Sequence, residues 1–214
     1  MPHDGHIRPD RADRLDDVRR LQTQVSEHDL ARLLALRGDE DVLDLGSGTG
    51  FYTDRMAALT TGTVYAVDLQ PEMNDHYRRR GVPANVHLVM GDVAALPIEP
   101  ADAHPGEALP PAAAGAALRP ASVDVACSIA TWHEIDSGLD LSGLVQILRP
   151  GGRLVVIDWR RDPESAESGP PLDVRSTKEE VARALAPYFV VTATEDLGRF
   201  MFAVVARQAG PTPR

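Results

Sequence analysis

The stretch Val42–Tyr52, "VLDLGSGTGFY", sets an apolar run against three glycines within five residues, Gly46, Gly48 and Gly50. So dense a loss of side chains lets the backbone come close to something: a dinucleotide, a phosphate, another cofactor, or only its own turn. The dinucleotide fingerprint G-x-G-x-x-G needs a third glycine where this chain has Phe51. The phosphate-cradling loop needs a Gly-Lys-Ser/Thr that the stretch lacks. What remains is a strand, a glycine turn and a helix, with backbone accessible at the carboxyl end of the first strand.

Outward from this stretch the chain alternates. Short apolar runs at 41–45, 63–69, 85–90, 122–130 and 153–159 predict strands, and helical segments lie between several of them. One helix begins after Gly50 and another at Pro71, a residue suited to a first helical turn. A third carries Leu141, Leu144, Val145 and Leu148 on one face before "RPGG" ends it. Strands that are apolar almost throughout, separated by amphipathic helices, predict a parallel sheet covered on both faces. Ser176 and Glu179 predict a capping box for a helix running to about Ala186. The last two strand-like runs, 188–197 and 200–208, are joined so tightly that only an antiparallel hairpin fits.

Upstream, residues to about 25 are charged and weakly patterned. Leu30, Leu33 and Leu34 then sit at helical spacing, with Gly38 as a stop signal. Residues 100–121 hold 9 Ala and 5 Pro and predict a surface loop inserted between two strands. The expected organisation is an N-terminal helical lid segment over 1–37, one α/β domain over 38–208 interrupted by that loop, and a tail at 209–214.

The 214 residues carry a net charge of -10, and Lys178 is the only lysine, so a nucleic-acid or anionic-membrane partner is not expected. One cysteine, Cys127, excludes an intrachain disulfide and speaks against a cysteine metal site. His3 and His6 have a spacing that could hold a metal, but a polar terminus accounts for them better. With no long apolar run and no secretory signal, the expected location is cytoplasmic.

Asp68 closes the second strand, where an ionised carboxylate can accept both hydroxyls of a ribose. Asp92 follows the third strand and Asp44 lies within the first. Three carboxylates around one crevice would repel a pyrophosphate and suit a cofactor carrying a sulfonium, an amine and a ribose. At these residues the chain resembles the class I S-adenosylmethionine-dependent methyltransferases. "VLDLGSGTG", "VYAVDLQPEM", "GDVAALP" and "LRPGGRLVVIDW" match that family's motifs in order. The resemblance is nearer to the small ubiquinone/menaquinone-biosynthesis-type methyltransferases, through "RPDRADRLDD", the His-Glu pair after the fourth strand, and "GPPLDVR".

The resemblance implies a Rossmann-like seven-stranded, mostly parallel sheet ordered 3-2-1-4-5-7-6, with strand 7 antiparallel and helices on both faces. It implies that Gly46, Ser47 and Gly48 approach the methionine portion of S-adenosyl-L-methionine, with Asp44, Gly50 and Ser128 also at the cofactor. Asp68 would hold the ribose, Asp92 and Val93 would flank the adenine, and Leu69 and Met73 would give apolar contact. The implied acceptor is a small molecule, with no nucleic-acid partner. His133 and Glu134 emerge where the fourth strand ends. His133 is the candidate base, because its ordinary pKa lies near neutrality, and Glu134 could orient it or act in its place. The alternative is that both merely shape the loop. Trp132 and Trp159 read as packing, and Arg160, Arg161 and Arg175 as candidates for an anionic substrate. Two other functions compete: a non-catalytic S-adenosylmethionine-binding protein, and an NAD(P)-dependent oxidoreductase, which Phe51 and the lack of a Tyr-x-x-x-Lys pair oppose.

Overall fold

The computed structural model describes residues 12–96, 118–135 and 138–209. Most of the 100–121 insertion, the pair His3 and His6, and nearly all of the 209–214 tail lie outside them.

Strand β1 (Val42–Leu45) is buried along its whole length. Its side chains alternate between two hydrophobic layers, as strand geometry requires. Val42 faces a layer with Leu30, Leu34, Phe51, Met56 and Tyr77. Leu43 and Leu45 face a second layer with Leu144, Ile147, Val181 and Leu185. Around β1 stand β2 (Val64–Asp68), β3 (Val86–Met90), β4 (Val123–Ile129), β5 (Leu148–Trp159), β6 (Phe189–Leu197) and β7 (Met201–Gln208). They form one sheet in the order β3-β2-β1-β4-β5-β7-β6. β1 pairs in parallel with both β2 and β4, while β7 runs antiparallel to β5 and β6. This is the expected Rossmann-like order. β1 and β4 are sequence-distant neighbours whose connections leave in opposite directions, so their carboxyl ends open the crevice in which such sheets bind ligands.

Helices α1 (Ala12–Leu15), α2 (Arg20–Thr23), α3 (Glu27–Leu34), α4 (Phe51–Ala57), α5 (Pro71–Arg80), α6 (Leu141–Ile147) and α7 (Lys178–Leu185) complete the described fold. Their starts follow local chemistry. The Ser26 hydroxyl accepts from the Asp29 amide at 3.0 Å, and the Asp140 carboxylate accepts from the Gly143 amide at 2.9 Å. Pro71 opens α5 as expected.

Three sequence expectations are corrected. The capping box is Thr177–Glu180, one residue later than Ser176–Glu179. That register turns Val181 and Leu185 into the core. Helix α3 ends at Ala35, which takes the left-handed conformation itself, so Gly38 is not its stop. Leu148 is not the last residue of a helical face but the first of β5. Residues 12–23, weakly patterned in sequence, include the two short helices α1 and α2.

Candidate active site

The glycine turn follows β1. Amides of Gly46 and Ser47 both donate to the Val67 carbonyl at 2.9 Å, which pins the turn to the end of β2. Gly46 has φ 81° and Gly50 has φ 84°, conformations that favour glycine. A Cβ on Gly46 would stand under 3.0 Å from Thr131, and one on Gly50 would do the same to Tyr77. The turn is therefore wedged between the start of the β4 loop and α5. Phe51, where a dinucleotide site would keep glycine, is only 5% exposed. Its ring packs edge-on against Tyr52, and the Arg20 and Arg55 guanidinium groups lie over it.

Asp68 binds the turn directly. Its Oδ2 accepts from the Gly48 amide at 2.7 Å, and its Oδ1 accepts from the Gln70 amide at 2.8 Å. Asp44 lies beneath, 2% exposed, accepting from the Thr53 hydroxyl at 2.6 Å. Burial, with the nearby charge of Asp68, pushes the Asp44 carboxyl up to about 6. Asp92 is exposed after β3, and its carboxylate accepts from the Ala94 amide at 2.8 Å, with Val93 buried beside it. Leu69 is exposed, whereas Met73 is buried on the inner face of α5. Ser47 and Ser128 are buried at the carboxyl ends of neighbouring β1 and β4. Their hydroxyls find no hydrogen-bond partner among the described residues.

The N-terminal segment sits on this turn. The Asp16 carboxylate accepts from the Thr49 hydroxyl at 2.6 Å and meets His76 Nε2 at 2.8 Å. Leu15 would touch a Cβ placed on Gly48. None of these contacts is visible as a sequence motif, since the partners lie 33 and 60 residues apart.

β4 ends in Ala130, whose φ of 53° turns the chain into a single 3₁₀ turn, Trp132–Glu134. This turn delivers His133 and Glu134 to the carboxyl edge of the sheet. His133 Nδ1 lies 2.8 Å from Asp158 Oδ1, and the His133 amide donates to Asp158 Oδ2 at 3.3 Å. An ionised carboxylate only accepts, so the Nδ1 proton is fixed and Nε2 is left to take one. Nε2 stands 3.7 Å from Glu134 Oε1. Asp158, at the penultimate position of β5, is 1% exposed. Burial alone would lower the imidazolium pKa, but the bond and charge of Asp158, helped by Glu134, outweigh it and leave His133 above its ordinary value. Burial, together with the charges of Asp158 and Asp68, pushes Glu134 up to about 7, against the opposing pull of His133. The sequence could name His133 and Glu134 by their place after a strand. The bond from Asp158, 25 residues on, could not be read there.

The three arginines after β5 do not form an anion site. Arg175 is 2% exposed. It donates to the carbonyls of Pro170 at 2.8 Å, Arg160 at 2.9 Å and Ser165 at 3.3 Å, and also to that of Ser168. It thereby knits the loop 160–175 together, with its guanidinium near the Trp159 ring. Arg160 pairs with Asp162 and Arg161 with Glu180. Trp159 and Trp132 both pack against the core. A separate cavity of about 250 Å³, lined by Arg32, Arg153 and Arg207 among others, lies against the other end of β5. Among the described residues no cluster of His, Cys, Asp or Glu could hold a metal ion, and no helix is long and apolar enough to cross a membrane.

Comparison with known proteins agrees with this architecture. Residues 42–104 match the family described as "Methyltransferase domain". An uncharacterized methyltransferase of Mycobacterium tuberculosis is 35% identical over 121 residues, covering 56% of this chain and 40% of the relative. The chain thus spans well under half the length of that relative. A S-adenosylmethionine-dependent methyltransferase from Aquifex aeolicus superposes with a TM-score of 0.78 at 24% identity, over 95% of this chain and all of that one. Geranyl diphosphate C-methyltransferase from Streptomyces coelicolor, solved with S-adenosyl-L-homocysteine, superposes with a TM-score of 0.60 at 16% identity, over 86% and 75% of the two chains. These likenesses show the fold of the S-adenosylmethionine-dependent methyltransferases and, over residues 42–104, a match to the methyltransferase domain.

Proposed function

We propose that this chain is a methyltransferase that transfers the methyl group of S-adenosylmethionine to a small-molecule acceptor, of the ubiquinone/menaquinone-biosynthesis type that its motifs resemble. The observation that carries this reading is the acid-lined glycine turn. Asp68 is held by the Gly48 amide at the strand end, and two buried hydroxyls beside it, Ser47 and Ser128, lack partners among the described residues. A carboxylate so placed suits a ribose diol, because both its oxygens are acceptors when it is ionised. Unpaired buried hydroxyls cost free energy unless something polar meets them. The absence of arginine or lysine from the turn, and the buried Phe51, suit a cofactor without a pyrophosphate.

In this reading Gly46, Ser47 and Gly48 receive the amino-acid end, Asp68 the ribose, and Asp92 with Val93 the adenine. Asp44 supplies negative charge beneath the turn. Leu69, being exposed, offers apolar surface, while Met73 supports α5 from inside. When bound, the cofactor would supply an electrophilic methyl group on a sulfonium. The chain's contribution is then largely positional, and holding two reactants in line is worth ~7–11 kcal/mol of barrier. Residues 12–37 close over the turn as a lid through Asp16 and Leu15. His133 takes a proton at Nε2 when the acceptor must lose one, and Glu134 shares the resulting charge.

The test is methyl transfer from labelled S-adenosylmethionine to a cell metabolite extract. Labelled product that disappears in Asp68→Ala supports the reading. Cofactor binding with no product across the extract defeats the catalytic part of it.

A further inference from the structure

His133 sits among carboxylates contributed by β5, by its own turn and by the end of β2. From β5, Asp158 Oδ1 meets Nδ1 at 2.8 Å, and Asp158 Oδ1 also accepts from the Trp159 amide at 2.6 Å. From its own turn, Glu134 faces Nε2 at 3.7 Å. Across the crevice at the end of β2 stands Asp68, close enough to raise Glu134. From the loop after β5 comes one cation, Arg175, and its guanidinium is spent on four backbone carbonyls and the Ser165 hydroxyl. Arg160 and Arg161 are paired to carboxylates.

We propose that Asp158 is the positioning residue of this site, holding the His133 proton on Nδ1, and that the carboxylates around the imidazole reserve the site for acceptors that arrive uncharged or cationic and still protonated. The inference rests on the methyltransferase reading and deepens it. Two physical arguments carry it. First, Asp158 grips both the ring and the backbone of His133, which removes the rotational and tautomeric freedom that a surface histidine keeps. Second, an acceptor already anionic would enter beside Glu134 and Asp158, while the arginines of the loop after β5, Arg175, Arg160 and Arg161, are committed to loop carbonyls and carboxylates. Like charges in a partly buried site repel strongly. A neutral acceptor avoids this. Its proton passes to Nε2, the electron pair stays on the acceptor atom, and the positive charge formed lies between two carboxylates.

The test is nuclear magnetic resonance of ¹⁵N-histidine-labelled protein, titrated with and without S-adenosylhomocysteine. The wild type is expected to show His133 as the Nδ1–H tautomer with a pKa above its ordinary value. Asp158→Asn should lower that pKa by about 1 to 3 pH units, the span an adjacent opposite charge commands, and should mix the tautomers. Asp158→Glu should restore the single tautomer in part. Millimolar benzoate and phenyl phosphate should leave the His133 signals in place. An Nε2–H tautomer in the wild type, which needs no variant to fold, overturns the positioning role. So does an unchanged pKa in a folded Asp158→Asn protein, and saturable movement of His133 by either anion overturns the acceptor class. Failure of S-adenosylhomocysteine to bind, measured by calorimetry on the same samples, would count against the cofactor reading while leaving the tautomer result standing.

Discussion

Replacing Gly46 with alanine tests the glycine turn as a physical object. Gly46 has φ 81°, and a non-glycine residue in that left-handed region costs about 1–2 kcal/mol. The added Cβ would also lie under 3.0 Å from Thr131 Cγ2, Oγ1 and Cβ. Thr131 cannot simply swing away, since it is 9% exposed and its hydroxyl reaches the Gly46 and Ile129 carbonyls at 3.3 Å. Overpacking of this kind costs about 1–3 kcal/mol. Together the two effects give a loss of about 2–5 kcal/mol. The clash share is separable. Thr131→Ala removes Cγ2 and Oγ1, so the Gly46→Ala/Thr131→Ala pair should recover about 1–2 kcal/mol relative to additivity, while the backbone share persists. Urea unfolding followed by circular dichroism reads all four proteins, with the comparison valid if the m-value is constant. A Gly46→Ala protein within about 0.5 kcal/mol of wild type would refute the reasoning, because surface-like tolerance has no place at this turn. A strictly additive cycle would refute the assignment of the clash to Thr131.

Two further outcomes follow from buried charge. Asp44 keeps its proton in the fold up to about 6, against an ordinary value of 3.8. Its stabilising contribution is therefore full below about pH 4 and is lost as pH rises through 6, a swing of about 3 kcal/mol at ~1.4 kcal/mol per pH unit. Asp44→Asn retains an acceptor for Thr53 without the titration, so its stability relative to wild type should climb between pH 4 and pH 7, and a flat difference across that range would contradict the account. Arg175→Met should destabilise by at least about 2 kcal/mol, because it orphans several loop carbonyls. Arg175→Lys should not rescue it, since a lone ammonium cannot reproduce the planar fork. Thermal unfolding of the two variants checks this, and a lysine variant as stable as wild type would show that charge alone suffices.

Much of the fold could be read from residue pattern. Buried parallel strands are apolar throughout, so β1 and β2 announced themselves, and the tight link at 198–200 allowed only antiparallel pairing of β6 and β7. Boundaries were less legible where two residues offered the same chemistry. Ser176 and Thr177 can both cap, and the burial of Val181 and Leu185 chose Thr177. The site divides the same way. Gly46, Gly48, Asp68, His133 and Glu134 stand at strand ends, a position the sequence reveals. Asp158 bonding His133, Asp16 bonding Thr49, and Arg175 wrapped by its own loop depend on side-chain contacts that no period or spacing encodes. Arg175 in particular reads as a surface cation in sequence, because arginine is seldom so fully buried. Only the converging carbonyls of residues 160–170 explain its burial.

The central claim is that the acid-lined glycine turn holds S-adenosylmethionine, and titration calorimetry of the purified chain addresses it most directly. The account predicts binding of S-adenosylmethionine and S-adenosylhomocysteine at one site, weakened about ten- to a hundredfold by Asp68→Ala, which removes a charged hydrogen-bond acceptor worth about 1.5–3 kcal/mol. It predicts no comparable binding of NADH. Heat of binding for NADH with none for either methionine-derived ligand, or affinity indifferent to Asp68, would contradict it.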